Sequence, residues 1–170
     1  MHELRKPVVS VVIRDYLDED AAALRVVFES SVHALAAPYY TREQLAAWAP
    51  REHDREQWSA RLSAIRPFVA EVDGNLAGFA DLQDSGYIEV FYVSGDYARC
   101  GVATALMARI HAAALERNIV RLHAHVSLAA EDFFVRAGFE IQVRKDVERA
   151  GVVLRNALMS KELSAPPERA

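Results

Sequence analysis

The residues best suited to chemistry gather in Tyr87–Met107 (YIEVFYVSGDYARCGVATALM) and just beyond it. An aromatic and β-branched strand there passes through a polar loop and a Gly-containing turn straight into a helix start. The first N–H groups of a helix have no intrahelical partners and its dipole favours negative charge, so this junction suits a phosphate. Gly101 and Ala103 are small enough to let one approach the backbone. Cys100, the single cysteine, is a nucleophile by type, but no His or acid near it in sequence suggests activation. Further on, His123 and His125 share one face of a predicted strand by its two-residue period, and either imidazole is a possible base. Glu89 adds a carboxylate within the first strand. By itself it reads equally well as a solvated residue or as the partner of an arginine.

These groups need elements to hold them. Residues 8–14 (VVSVVIR) predict an opening strand. Leu24, Val27, Phe28, Val32 and Leu35 at helical spacing behind Asp18, Glu19 and Asp20 predict a helix over about 18–35. Thr41-x-x-Gln44 has the form of a capping box, starting a short helix with Leu45 and Trp48 that stops before Pro50. Trp58, Leu62 and Ile65 mark another helical face. From Phe68 the period becomes that of strands: Phe68–Val72 and Leu76–Leu82 about Asp73-Gly74-Asn75, then Tyr87–Val93 after Ser85-Gly86. A helix carrying Val102, Leu106 and Ile110 runs to near Asn118, followed by a strand over Arg121–Val126. Ser127 is the expected N-cap of a helix with Phe133 and Phe134 that Gly138 ends. Phe139–Val147 and Val152–Met159 close the chain as a hairpin. Strands then alternate with helices in an α/β (α+β) order, a mixed sheet with helices on both faces.

Length and composition set bounds on what this order can do. The 170 residues fit one domain, with a core over about 8–162 and a tail at 164–170 (SAPPERA) expected to be disordered. With 52% hydrophobic and 26% charged residues the chain is a folding sequence. A net charge of −4 disfavours nucleic acid or an anionic membrane as partner. One cysteine leaves no internal disulfide and no cysteine metal cluster. The apolar run Pro7–Ile13, broken by Arg14 and Asp15, is too short for a membrane span, and the expectation is a cytoplasmic protein.

The loop at Arg99–Ala103 is neither a Walker A motif nor a dinucleotide fingerprint, and a Gly before a helix most often marks only a tight turn. In context, however, residues 87–107 resemble motif A of the GNAT acetyltransferase superfamily, a strand leading into Gln/Arg-x-x-Gly-x-Gly/Ala and a helix. Here those positions are Ala98, Arg99, Cys100, Gly101, Val102 and Ala103, with Ala98 departing from the usual first residue. Ala130-x-x-Phe133-Phe134-x-x-x-Gly138-Phe139 is similar to motif B. The order of elements over about 8–162 also resembles the GNAT fold, a central, mostly antiparallel sheet of about seven strands. Tyr39-Tyr40-Thr41 through Gln44 to Trp48, with the late Gly151, Asn156 and Met159, resembles the YafP-like branch of bacterial acetyltransferases.

The resemblance implies acetyl-CoA as co-substrate, no metal, and roles for particular residues. Phe91, Tyr92 and Val93 would run beside the pantetheine arm, with an N–H near Val90–Phe91 polarising the thioester. Arg99, Cys100, Gly101, Val102, Ala103 and Thr104 would surround the pyrophosphate. Phe134 would pack against the coenzyme, but it replaces the usual Tyr and cannot protonate the leaving thiolate, so the acid stays unassigned. Ala98 is expected to lower affinity without abolishing binding. Glu89 is the first candidate base and His125 the second; Tyr40 and Trp48 would line the acceptor pocket. The implied activity is transfer of acetyl to a primary amine, for which a small cationic or aromatic acceptor is the expectation, in a protein that pairs as a homodimer in many relatives. Phe134 and Ala98 leave open a non-catalytic acyl-CoA-binding module, or a fold kept only as an interaction surface.

Overall fold

The structure is a computed structural model and describes residues 9–164. Val8 and the expected tail at 165–170 lie outside the described residues. Strand β1 (Val11–Asp15) enters antiparallel to β2 (Phe68–Val72), which forms a hairpin with β3 (Asn75–Ala80). Asp73 and Gly74 at the turn both have positive φ, as a tight hairpin between twisted strands requires. β5 (Phe91–Val93) completes this first sheet, in the order β1-β2-β3-β5. The second sheet has the order β4-β6-β8-β7: β4 (Tyr87–Ile88), β6 (Arg121–Ser127), β8 (Val152–Glu162) and β7 (Glu140–Arg149). Only β4 and β6 are parallel; every other pair is antiparallel.

The strand expected over Tyr87–Val93 is therefore two strands, and one sheet of about seven is two sheets of four. The cause is a side chain outside the predicted strand. Asp81, wholly buried, accepts through Oδ1 from the N–H of Glu89 at 2.7 Å and of Val90 at 2.9 Å. These donors are satisfied outside any strand ladder, and the chain passes there from one sheet to the other.

Five α-helices cover the sheets. Helix α1 (Ala21–Ser30) follows a 3₁₀ turn at Asp18–Asp20 and continues into a π turn at Ser31–Leu35, so the predicted helix over 18–35 is three helical segments. The π turn widens where Gly95 packs: a Cβ on Gly95 would stand 2.7 Å from that of Ala34. Helix α2 (Arg42–Trp48) begins with the expected capping box, and Gln44 also donates to the Val153 carbonyl on β8 at 2.9 Å. Helix α3 (Arg55–Ile65) is capped by Asp54, whose carboxylate takes the Gln57 N–H. Helix α4 (Val102–Glu116) stops two residues before Asn118. Helix α5 (Glu131–Arg136) has Ala130 as N-cap; Ser127 ends β6 instead, its hydroxyl taking the Ala130 N–H at 3.3 Å.

Alternation along the strands explains the layering. Phe68, Ala70 and Val72 face Val102, Leu106 and Ile110 of α4, while Val69 and Phe79 face Leu24, Phe28 and Leu62 of α1 and α3. The first sheet is thus enclosed on both faces. The last hairpin runs longer than expected, with β7 almost wholly exposed along its length.

Candidate active site

The two sheets part after Ile88, and the site lies on either side of that split. Asp81 donates its N–H to the Val90 carbonyl and Ser94 donates to Ala77, which sets the ladder between β3 and β5. By antiparallel alternation Tyr92 bonds Phe79, leaving the main-chain groups of Phe91 and Val93 directed away from β3. Among the described residues β5 has no second strand partner. An edge of free donors and acceptors therefore faces the gap.

Below this edge the loop runs into α4. Arg99 and Gly101 both have positive φ, and no side chain caps the helix, so its first-turn N–H groups remain available. Arg99, Cys100, Gly101, Val102, Ala103 and Thr104 thus form one turn, as the sequence suggests. Among the described residues Cys100 Sγ makes one hydrogen bond, donating to the Ala98 carbonyl at 3.6 Å, and otherwise packs against the core. A groove of about 370 Å³ continues between α4 and α5, lined by Thr104, Met107, His111, Phe133 and Arg136. Phe134 is only 2% exposed and packs on Phe91 and Phe139 at centroid distances of 5.4 and 4.9 Å. Its neighbour Phe133 is the ring that lines the groove.

The other side is a cleft of about 260 Å³. Tyr40, Trp48, Tyr87 and Tyr92 supply its aromatic walls. Tyr92, grouped by sequence with the coenzyme contacts, has its ring here, against Phe28 and Phe79. The Tyr40 hydroxyl donates to the Arg155 carbonyl at 2.7 Å and accepts from the Leu128 N–H at 3.0 Å. Burial pushes that phenol's pKa up, so it stays a neutral donor. Its ring meets Trp48 edge-on at 5.5 Å.

Glu89 and His125 line this same cleft. Both Glu89 oxygens are engaged, one by Arg61 Nε at 2.9 Å and one by Gln83 Nε2 at 3.5 Å. His125 makes no hydrogen bond among the described residues, and the Tyr87 ring stands 6.0 Å from it. Burial first, then the charges of Lys145 and His123, hold its pKa below the ordinary 6.5. At neutral pH it is a free base.

Sequence reasoning missed Arg61, Tyr87, Arg149 and Arg155, which also line the cleft, and gave Asn156 no chemical role. Only register reveals the strand residues: Ser127 pairs with Asn156, Asn156 with Lys145, and Leu154 with Val147, placing these on one face with Arg149. Among the described residues no group of three His, Cys, Asp or Glu could hold a metal ion, and no helix is long and apolar enough to cross a membrane.

Comparison with known proteins now decides the family. A model of the acetyltransferase (GNAT) domain matches residues 36–163. The chain belongs to the GNAT acetyltransferase family. It is 29% identical over 150 residues to the uncharacterized N-acetyltransferase YafP of Escherichia coli (strain K12), covering 88% of this chain and 95% of that one. A GCN5-related N-acetyltransferase from Rhodopseudomonas palustris superposes with a TM-score of 0.88 at 33% identity, over 94% of this chain and 99% of its own. The GNAT fold is shared more distantly with PaiA N-acetyltransferase of Thermoplasma acidophilum, solved with coenzyme A, at a TM-score of 0.69 and 18% identity over 90% and 99% of the chains. YncA of Salmonella typhimurium, solved with acetyl-CoA, gives 0.68 at 19% identity over 94% and 99%.

Proposed function

We propose that this GNAT protein transfers the acetyl group of acetyl-CoA to a primary amine by direct attack within a ternary complex. The observation that carries the reading is the β5 edge: free main-chain groups of Phe91 and Val93, with the uncapped α4 N-terminus on one side and the His125 cleft on the other. Two relatives of the same fold are solved with coenzyme A or acetyl-CoA, and the donor set suits that molecule. Phe91 and Val93 would pair with the pantetheine amides as an added strand does. Arg99–Thr104 would take the pyrophosphate through backbone N–H groups. Because Asp81 already holds the Val90 N–H, the Phe91 N–H is the donor for the developing oxyanion.

An amine acceptor is protonated at neutral pH and must lose a proton before attack. His125, neutral and without a partner, is the base that the geometry favours over Glu89, which Arg61 engages. The amine nitrogen then bonds to the thioester carbon, the carbon–sulfur bond breaks, the nitrogen gives its remaining extra proton to solvent, and the departing thiolate takes one from solvent. Glu89 bears its charge on the same cleft and would hold the incoming ammonium before it is deprotonated.

Incubation with acetyl-CoA and an amine panel should release free thiol, and calorimetry should detect the coenzyme. Phe134, buried where relatives carry a proton-donating Tyr, favours a second reading as a non-catalytic acyl-CoA-binding module. Coenzyme binding without thiol release for any amine would establish that alternative.

A further inference from the structure

The acceptor cleft carries a charge imbalance that the composition hides. The chain as a whole has a net charge of −4, yet the cleft lining holds Arg61, Arg149 and Arg155 and a single carboxylate, Glu89, with the Arg155 side chain turned by strand alternation to the other face of the hairpin. Arg61 is paired with Glu89 at 2.9 Å, and Arg155 with Asp146 at 3.2 Å. Arg149 has no carboxylate partner among the described residues. Lys145 adds a further cation on the same sheet face, opposite Asn156 in register.

One polar atom of the cleft is also unsatisfied. Asn156 Oδ1 is buried and receives no hydrogen bond, a state that costs free energy unless a ligand supplies the donor. An amine N–H is such a donor. Asn156 pairs with Ser127, next along β6 from His125 on that face, so this end of the cleft is where a base is at hand. Arg149 lies toward the opposite end, on β7 beside the hairpin turn. Roughly 14 Å separates the Arg149 and Asn156 Cα positions, from one strand spacing across and four residues along.

We infer that the acceptor is a primary amine that also bears an oxyanion, its nitrogen at Asn156 and its carboxylate or phosphonate on the Arg149 guanidinium. This rests on the acetyl-transfer reading of the cleft and replaces the small cationic amine suggested by composition. A guanidinium grips such an oxyanion through two parallel hydrogen bonds. A second cationic group on the acceptor would meet like charge at Arg149.

Calorimetry on the whole protein with γ-aminobutyrate, aminopropylphosphonate and butylamine reads the recognition without requiring turnover. At least one of the two anionic amines should bind about tenfold or more tighter than butylamine. Whichever binds better tells carboxylate from phosphonate. Arg149→Gln should collapse that ratio, and Arg149→Lys should restore part of it by keeping the charge. Equal binding of all three amines, a preference for butylamine, or an anion preference that survives Arg149→Gln would overturn the proposal. Thiol release from acetyl-CoA with the same amines separates the two readings. Anion-selective binding without release removes the transferase reading but keeps the acceptor class, and release that favours butylamine does the reverse.

Discussion

Asp81 and Val90 are joined twice, Val90 N–H donating to Asp81 Oδ1 at 2.9 Å and Asp81 N–H donating to the Val90 carbonyl at 3.2 Å, while the Glu89 N–H reaches the same Oδ1 at 2.7 Å. One buried carboxylate thus ends β4, starts β5 and aims the edge that carries Phe91 and Val93. Asp81→Ala would leave two buried N–H groups without acceptors. It should cost about 2 to 5 kcal/mol in denaturant unfolding and weaken coenzyme binding, because the β5 edge loses its anchor. Retained affinity in a folded Asp81→Ala protein would detach the edge from the donor site.

Asp81 also predicts a pH signature. Burial raises its pKa above the ordinary 3.8, against the hydrogen bonds from Val90 and Glu89 that lower it. A raised folded value means that its stabilising contribution is full below 3.8 and is lost as pH rises through the folded value. Asp81→Asn has no such loss. The stability difference should therefore move in favour of the Asn variant as pH rises from strongly acidic toward neutral, read by thermal unfolding across that range.

His125 predicts an acid limb in the rate. Since its pKa lies below 6.5, kcat/KM should stay level at neutral pH and fall only below the ordinary histidine range. His125→Gln should lower kcat by about a hundredfold or more and remove the limb. Lys145→Ala, which deletes a charge that depresses the imidazole, should move the limb to higher pH. A limb that ignores Lys145 would assign it to another group.

For Glu89 the expected effect is on the acceptor. Glu89→Gln should raise KM for the amine and leave coenzyme affinity nearly intact, since Glu89 faces the cleft and not the α4 groove. A loss of kcat with unchanged KM, and with the acid limb abolished, would transfer the base role to Glu89.

Gly101 tests the phosphate turn. Its φ is +82° and an added Cβ would meet nothing within 4 Å, so Gly101→Ala pays only for left-handed backbone, about 1 to 2 kcal/mol. If the turn relaxes to escape that cost, the α4 N–H groups lose their aim and coenzyme affinity falls more than stability does. Calorimetry beside thermal unfolding compares the two.

Helices and hairpins were legible because they follow from local patterns: Thr41 and Gln44 build their own cap, and Asp73-Gly74 builds its own turn. The turn at Gly101, with its positive φ at the start of α4, was legible for the same reason. The break inside Tyr87–Val93 was not, since it depends on Asp81, six residues before the strand and indistinguishable in sequence from a solvated aspartate. The side of β5 to which Tyr92 turns was hidden by the same break. Arg149 and Arg155 flank a turn and look like ordinary surface cations. Only the register of β7 with β8, and of β8 with β6, brings Arg149 onto one face with Asn156 and His125.

The mooring of the Tyr40–Trp48 wall of the cleft has a consequence for how this protein could change its chemistry. Tyr40 is tied to both Arg155 and Leu128, and Gln44 to Val153, so the wall carrying Trp48 stands as a fixed frame. Val147, Arg149 and Leu154 line the cleft from strands paired by a main-chain ladder in which none of these three side chains takes part. Replacing those three side chains alters the cleft without touching a mooring bond. Substitutions at Val147 and Arg149, which unlike Leu154 lie outside the buried core, then reshape the cleft with no remodelled loop required along the way.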